Sequence, residues 1–256
     1  MMQGFRGMHY GFMGYGYVGR ATYDIIARSE QGHYGTIHDI AHEDSHRELL
    51  TECNVVFVCI PTVTDKDIDN VIFEIKELKK LNPYNTIVVR CTLPLGSCDR
   101  IQKETGEKII YWPEFLREQH FDEDKVKRPW IIGHDGVSLP EFITKDDYIE
   151  VSTKEAELIK MFSNNLGTMR VAFANVFYDL AGKVGADYDK VKDAYLQVQQ
   201  NQSYLDVPGY DGKLGFGGKC LPKDLDFLID TLDQNDVDSM MFKAVRELND
   251  EWRNKE

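Results

Sequence analysis

The segment Gly14-Tyr15-Gly16-Tyr17-Val18-Gly19 constrains this chain more than any other. It follows the apolar, aromatic run Met8–Met13 and opens Tyr17–Arg28, where apolar residues recur at helical spacing. A G-x-G-x-x-G placed between strand and helix marks the start of a βαβ unit. The glycines allow a tight turn, close approach of the backbone to a pyrophosphate, and close packing of helix on strand. The helix N-terminus adds unpaired N–H groups for phosphate oxygens. Asp39 ends a second predicted strand, Gly35–His38, where a carboxylate can accept from ribose hydroxyls. Its charge repels a 2′-phosphate, which favours NAD over NADP. The plain alternative is a glycine-rich turn that only packs.

The rest of the first half repeats the alternation. Val55–Ile60, Thr86–Cys91 and Lys108–Tyr111 read as strands, Trp130–Gly133 as a further candidate, and Ile68–Leu81 and Gly96–Thr105 as helices. The expectation is an α/β, Rossmann-type, mostly parallel sheet domain over residues 1–150. Beyond it, Ser152 and Glu155 form a capping box that opens a long helix, Lys154–Val184, stopped by Gly185. Helices over Tyr188–Gln199, Pro222–Leu232 and Asp236–Asn254 follow, with a Gly/Pro-rich loop, Asn201–Gly218, between the first two. Residues 151–256 are therefore expected to form an all-helical domain. The loop is too long for a plain connector, which points to a functional segment.

Charge and cysteines narrow the partners. Thirty Lys+Arg against forty-three Asp+Glu give a net charge of −13, a field that repels nucleic acid and anionic membranes. No apolar run approaches the roughly 18 residues of a membrane span, and Met1–Met8 has no apolar signal-peptide core. The five cysteines are odd in number and form no C-x-x-C, which suits a reducing cytoplasm and argues against structural zinc. Cys53, Cys59, Cys91 and Cys98 lie in or beside apolar runs and read as small buried hydrophobes.

Cys220 is different. It stands in Gly215-Phe216-Gly217-Gly218-Lys219-Cys220-Leu221-Pro222-Lys223-Asp224, between a glycine loop and a helix start and beside two lysines. Positive charge and a helix N-terminus both lower a thiol pKa and raise its thiolate fraction. Glycines before it leave room for a ligand against the backbone. A buried, helix-capping cysteine is the alternative.

With these residues in order the sequence resembles the UDP-glucose/GDP-mannose dehydrogenase family. The resemblance runs through Gly14–Gly19, Val58-Cys59-Ile60-Pro61-Thr62, Cys91-Thr92-Leu93-Pro94-Leu95-Gly96, Pro113-Glu114-Phe115-Leu116-Arg117-Glu118, Ala156-Glu157-Leu158-Ile159-Lys160 with Asn164, and Gly215–Asp224. It implies an NAD-dependent, four-electron oxidation of a nucleotide sugar, foremost UDP-glucose to UDP-glucuronate. Cys220 matches the nucleophile that holds the aldehyde as a thiohemiacetal and then a thioester. Glu114 matches the general base for hydrolysis. Lys160 and Asn164, one helical turn apart, match the pair that stabilises oxyanion character and holds water, and Asp224 matches their acidic partner. The resemblance assigns the cofactor to Gly14, Gly16, Tyr17, Val18, Gly19, Asp39, Thr62, Thr92 and Glu118. It assigns the substrate to Phe115, Leu116, Lys160, Asn164, Gly217, Gly218 and Lys223. It further implies a homodimer built on the long helix, whose Met161, Phe162, Leu166, Met169, Phe173 and Phe177 exceed what a small helical core needs.

Taken singly, several of these residues have plainer readings. Lys160 alone is a solvated lysine on an amphipathic helix, Glu114 and Glu118 an exposed charge pair, and Asn164 a helix–helix hydrogen bond. The sequence also departs from the family pattern. Trp112 replaces an asparagine, which is expected to reshape the pocket beside Glu114, and Cys91 replaces a serine. Val63 stands for a proline, and no arginine occurs in Asn201–Asp206, leaving Lys213 as a stand-in. The sequence ends at Glu256, so a short form lacking the family's C-terminal UDP-binding domain is expected. Two rival functions stay open on the residues: a two-electron hydroxyacid dehydrogenase, and a non-catalytic NAD-binding protein.

Overall fold

The computed structural model describes residues 8–29, 35–41, 45, 47–62, 64–116, 122, 128–198, 211–218, 221–234 and 236–254. It divides into two compact units, Met1–Asn165 and Leu166–Glu256. The first unit is built on strands β1 (Tyr10–Met13), β2 (Gly35–His38), β3 (Val55–Val58), β4 (Thr86–Val89), β5 (Ile110–Tyr111), β6 (Trp130–His134) and β7 (Tyr148–Val151). They lie in the order β2-β1-β3-β4-β5-β6-β7. Every neighbouring pair is parallel except β5 with β6.

β3 reads Val-Val-Phe-Val with every residue buried, because helices cover both faces of the sheet and leave no solvated side to alternate with. On one face Met13, Val56, Val58, Ile87 and Val89 pack with α2 (Asp65–Leu81) and α3 (Ser97–Thr105). α2 contributes Ile68, Val71, Ile72, Ile75 and Leu78 to this core, a stripe at helical spacing. On the other face Tyr10, Phe12, Val55, Phe57 and Val88 pack with α1 (Tyr17–Ser29) and the single turn α4 (Glu141–Thr144). The registers align the strand ends: Met13 pairs with His38 and Val58, Val58 with Val89, and Val89 with Tyr111. The residues that follow β1 to β5 therefore emerge along one edge.

The long helix α5 (Thr153–Val184) starts as its capping box requires. The Ser152 N–H donates to Glu155 Oε2 at 2.7 Å, and the Glu155 N–H donates back to Ser152 Oγ at 3.2 Å. It stops at Gly185, whose φ is +74°, with the Ala186 N–H on the Ala181 carbonyl. Its first turns belong to the sheet unit. Ala156 sits in the sheet core against Gly133 of β6, where a Cβ would lie 2.6 Å from that of Ala156. The division between the units therefore falls inside the helix.

The second unit adds α6 (Tyr188–Val198), α7 (Leu221–Gln234) and α8 (Met240–Arg253) to the rest of α5. Leu232, Val237 and Phe242 form its buried core, with Val176, Phe177, Leu180, Leu225, Ile229 and Met241 around them. α8 begins four residues later than the sequence suggests. Asp236 takes a left-handed φ of 53°, and the Ser239 carbonyl accepts the N–H groups of Phe242 and Lys243 in the first turn of α8. Among the described residues no helix is long and apolar enough to cross a membrane.

Candidate active site

The strand order reverses at β1: the chain passes from β1 to β2 on one side and then to β3 on the other. In open α/β sheets ligands bind outside the strand ends at such a reversal. Gly14 leaves β1 with φ +88°, and a Cβ on it would meet the Cys59 carbonyl oxygen at 2.8 Å. A Cβ on Gly19 would lie 2.2 Å from the Gly14 carbonyl oxygen, so this glycine lets α1 close on the turn. Over Gly16, by contrast, nothing lies within 4 Å. The three glycines thus make a closed turn with an open crest, the shape a pyrophosphate needs. Tyr17 and Val18 form the start of α1, and the positive end of a helix dipole favours an anion there.

Asp39 lies against this turn. Its Oδ2 accepts the Tyr15 N–H at 2.5 Å and its Oδ1 the Ala41 N–H at 2.8 Å. The carboxylate is thereby held beside the crest, where a ribose would follow a pyrophosphate. After β3 and β4, the Thr62 hydroxyl donates to the Thr92 carbonyl, which joins two of the expected cofactor contacts. The turn, Asp39, Thr62 and Thr92 fit a dinucleotide.

After β5 the chain reaches Glu114, and α5 brings Lys160 to it. The Lys160 ammonium donates to the Glu114 carbonyl at 2.5 Å and to its Oε1 at 3.1 Å, while Oε2 accepts the Leu116 N–H at 2.6 Å. The two side chains are only 5% and 13% exposed. A solvated lysine and an exposed glutamate are therefore excluded for this pair. Removing two opposite charges from water costs several kcal/mol per ion and is repaid only by close partners, so such a pair is a poor stabiliser and a good functional candidate. Phe115 is half-exposed, with its ring 5.2 Å from the Lys160 ammonium. Asn164, one turn further along α5, is exposed, so the shared face emerges from the sheet between the two residues.

Trp112 does not reshape a pocket. Its side chain is 2% exposed and points into the sheet core against Trp130 and Phe142. Arg90 lies over its ring at 3.8 Å and donates to its carbonyl and to the Thr22 hydroxyl. Burial pulls this guanidinium down to about 10. Cys59 and Cys91 are buried, and burial pushes both thiols up to about 12, so neither offers a thiolate at neutral pH. Among the described residues no cluster of His, Cys, Asp or Glu could hold a metal ion.

Cys220, Glu118 and Asn201–Asp206 lie outside the described residues, as do the side chains of Lys223 and Asp224, which belong to α7. Lys213 is exposed and Gly218 open, while Gly217 is half-buried. The loop before Cys220 rests on α8: the Phe216 N–H donates to Asn249 Oδ1 at 2.7 Å, and Arg253 pairs with Asp211 at 2.7 Å. A Cβ on Gly215 would meet Asn249 Oδ1, and one on Gly217 the Arg253 Nη2, each at 2.6 Å. These glycines serve packing on α8, a need that spacing alone does not reveal. Asn249 and Arg253 escape a reading by motif because they sit in an ordinary amphipathic helix, and Glu157, although it lies inside the motif that ends at Lys160, is given no role by it.

Comparison with known proteins agrees with this layout. Residues 36–145 match the NAD binding domain, and residues 154–251 the central domain, of the UDP-glucose/GDP-mannose dehydrogenase family. The chain is 28% identical over 235 residues to the UDP-glucose 6-dehydrogenase of Rhizobium meliloti (strain 1021), covering 81% of this chain and 52% of that protein. It is also 28% identical over 218 residues to the UDP-glucose 6-dehydrogenase of Campylobacter jejuni, covering 77% and 53% respectively. It thus spans about half the length of the curated relatives it matches. The fold is similar to that of a GDP-mannose dehydrogenase from Pseudomonas aeruginosa solved as a ternary complex, with a TM-score of 0.78 at 22% identity over 96% of this chain and 69% of that one. An imine reductase from Myxococcus stipitatus shares the fold at a TM-score of 0.64 and 12% identity, covering 95% of this chain and 92% of that one.

Proposed function

The chain belongs to the UDP-glucose/GDP-mannose dehydrogenase family, and we propose that it oxidises a nucleotide sugar by four electrons with NAD, foremost UDP-glucose to UDP-glucuronate. The buried Lys160–Glu114 pair carries this reading, because it sets a cation and a carboxylate on the same strand-end edge of the sheet as the dinucleotide turn. UDP-glucose is favoured because both relatives described above are UDP-glucose 6-dehydrogenases.

The cofactor would be held by Gly14, Gly16, Tyr17, Val18 and Gly19 at its pyrophosphate, Asp39 at its ribose, and Thr62, Thr92 and Glu118 beyond. When bound, NAD supplies the acceptor for the two hydrides that an alcohol loses on becoming an acid. Lys160 and Asn164 donate to the oxygen on the reacting carbon as it gains negative charge. Cys220 holds the intermediate aldehyde as a thiohemiacetal, so that it does not escape between the two oxidations. Glu114 takes a proton from the water that hydrolyses the resulting thioester, with Asp224 as a partner of that water and of Lys160. Phe115, Leu116, Gly217, Gly218 and Lys223 complete the substrate contacts in this reading.

We also place the protein in the cytoplasm, where its free thiols persist, as a homodimer. Met161, Phe162, Met169 and Phe173 of α5 are 39%, 58%, 46% and 48% exposed, an apolar stripe that a second copy would cover. Supplied with NAD and a panel of UDP- and GDP-sugars, the wild-type protein is expected to form a uronate and Cys220→Ala none. Uronate from the variant at the native rate would remove the thioester route.

A further inference from the structure

Glu157 is a buried carboxylate to which the mechanism gives no task. It is 1% exposed, and its two oxygens accept the N–H groups of Gly96 and Cys98 at 2.7 and 2.6 Å. Those amides belong to the N-terminus of α3, whose capping residue is Gly96 with φ +89° and no side chain to serve as a cap. Glu157 supplies that cap from α5, and a carboxylate suits the positive end of a helix. Lys160 follows three residues later and so shares its face of α5.

We propose that Glu157 is a positioning residue that sets the rotation of α5 and thereby delivers the Lys160 ammonium to Glu114. The proposal rests on the reading of Lys160 and Glu114 as reaction-site groups. Docking of the helix start does not require Glu157. Ala156 packs against Gly133, and the Thr153 hydroxyl donates to Asp135 at 2.6 Å. Those contacts hold the first turn. The second, from which Lys160 extends, is fixed on the segment that follows Thr92 by Glu157. One face of α5 is then tied to the chain after β4 by Glu157 and to the chain after β5 by Lys160. The ammonium contact with the Glu114 carboxylate, at 3.1 Å, is longer than the 2.5 Å contact with its carbonyl. It is the first to break if the helix turns.

Glu157→Gln tests this, because it keeps the shape while setting an amide donor against one of the two N–H groups. The readout is acylation of Lys160 by an amine-reactive ester, followed by peptide mass spectrometry. Glu155→Gln is the comparison, since it weakens the capping box of the same helix without touching either anchor. Lys160 is expected to label about tenfold faster in Glu157→Gln, and within about twofold of wild type in Glu155→Gln. Wild-type labelling in Glu157→Gln, or an equal rise in Glu155→Gln, would overturn the proposal. If Glu157→Gln does not fold, Glu157→Asp, which keeps the charge but shortens the reach, is judged by the same criteria. Labelling needs no turnover. An inactive wild type whose Lys160 is unmasked by Glu157→Gln would refute the activity and support the positioning role.

Discussion

Gly14–Gly19 and Gly215–Gly218 are both glycine-rich and both lead towards a helix, yet their glycines answer different needs. In the first segment the space over Gly16 is empty to 4 Å, and the flanking glycines close the turn on its own backbone. In the second, a Cβ on Gly215 or on Gly217 would lie 2.6 Å from a side chain of α8. The same residue type thus opens a surface to a ligand in one place and admits a neighbouring helix in the other. A glycine motif by itself therefore does not say whether a given glycine serves a ligand or a neighbouring helix. The consequence for function is that the loop before Cys220 is fixed from behind, by a buried asparagine on α8.

The comparison breaks most visibly at Gly19. In Gly19→Ala a Cβ would stand 2.2 Å from a backbone carbonyl that has nowhere to go. The expected result is a loss of about 3 kcal/mol by denaturant unfolding, together with loss of NAD binding. Gly215→Ala comes next. It combines a φ of +71° with a Cβ 2.6 Å from Asn249 Oδ1, and about 2 kcal/mol is expected. Pairing it with Asn249→Gly is expected to recover part of that loss, so the double mutant should be non-additive. If Gly215→Ala instead left stability intact and weakened sugar-nucleotide binding, Gly215 would serve the ligand rather than α8 and the contrast would fail.

Gly16→Ala sharpens the contrast from the other side. Stability within about 0.5 kcal/mol of wild type is expected, with NAD affinity, read by calorimetry, down about tenfold. A large stability loss would mean that the crest is not open. The smallest effect concerns Arg253 and pH. Its hydrogen bond holds the Asp211 carboxyl below the usual carboxylate range. A carboxylate depressed in the folded state contributes stability above its unfolded value, near pH 4, and loses it as pH falls through the folded value. Wild type and Arg253→Gln should therefore differ slightly at neutral pH and converge in acid. A difference that widened in acid would contradict the pairing.

Much of this arrangement was legible in the sequence, for physical reasons that can be named. β3 and β4 are buried on both faces, so their residues are almost uniformly apolar and stand out. The capping box at Ser152 marked the start of α5, and the glycine spacing with Asp39 marked the dinucleotide edge. β7 was not legible. Ile149 on it is 47% exposed, and an edge strand packed on one side carries neither an apolar run nor clean alternation. Trp112 read as a change in a pocket, since sequence cannot tell which face a strand-end residue takes; Tyr111 and Trp112 in fact pack on opposite faces. Glu157 and Asn249 were silent for a related reason. A buried polar side chain that serves a backbone amide looks, in one dimension, like any solvated helical residue.

The central claim is that one active site performs two oxidations on a single sugar, and the ratio of NADH to uronate tests it most directly. With UDP-glucose and excess NAD, the account predicts two NADH for each uronate formed. One NADH per product, with an aldehyde or ketone accumulating, would contradict it.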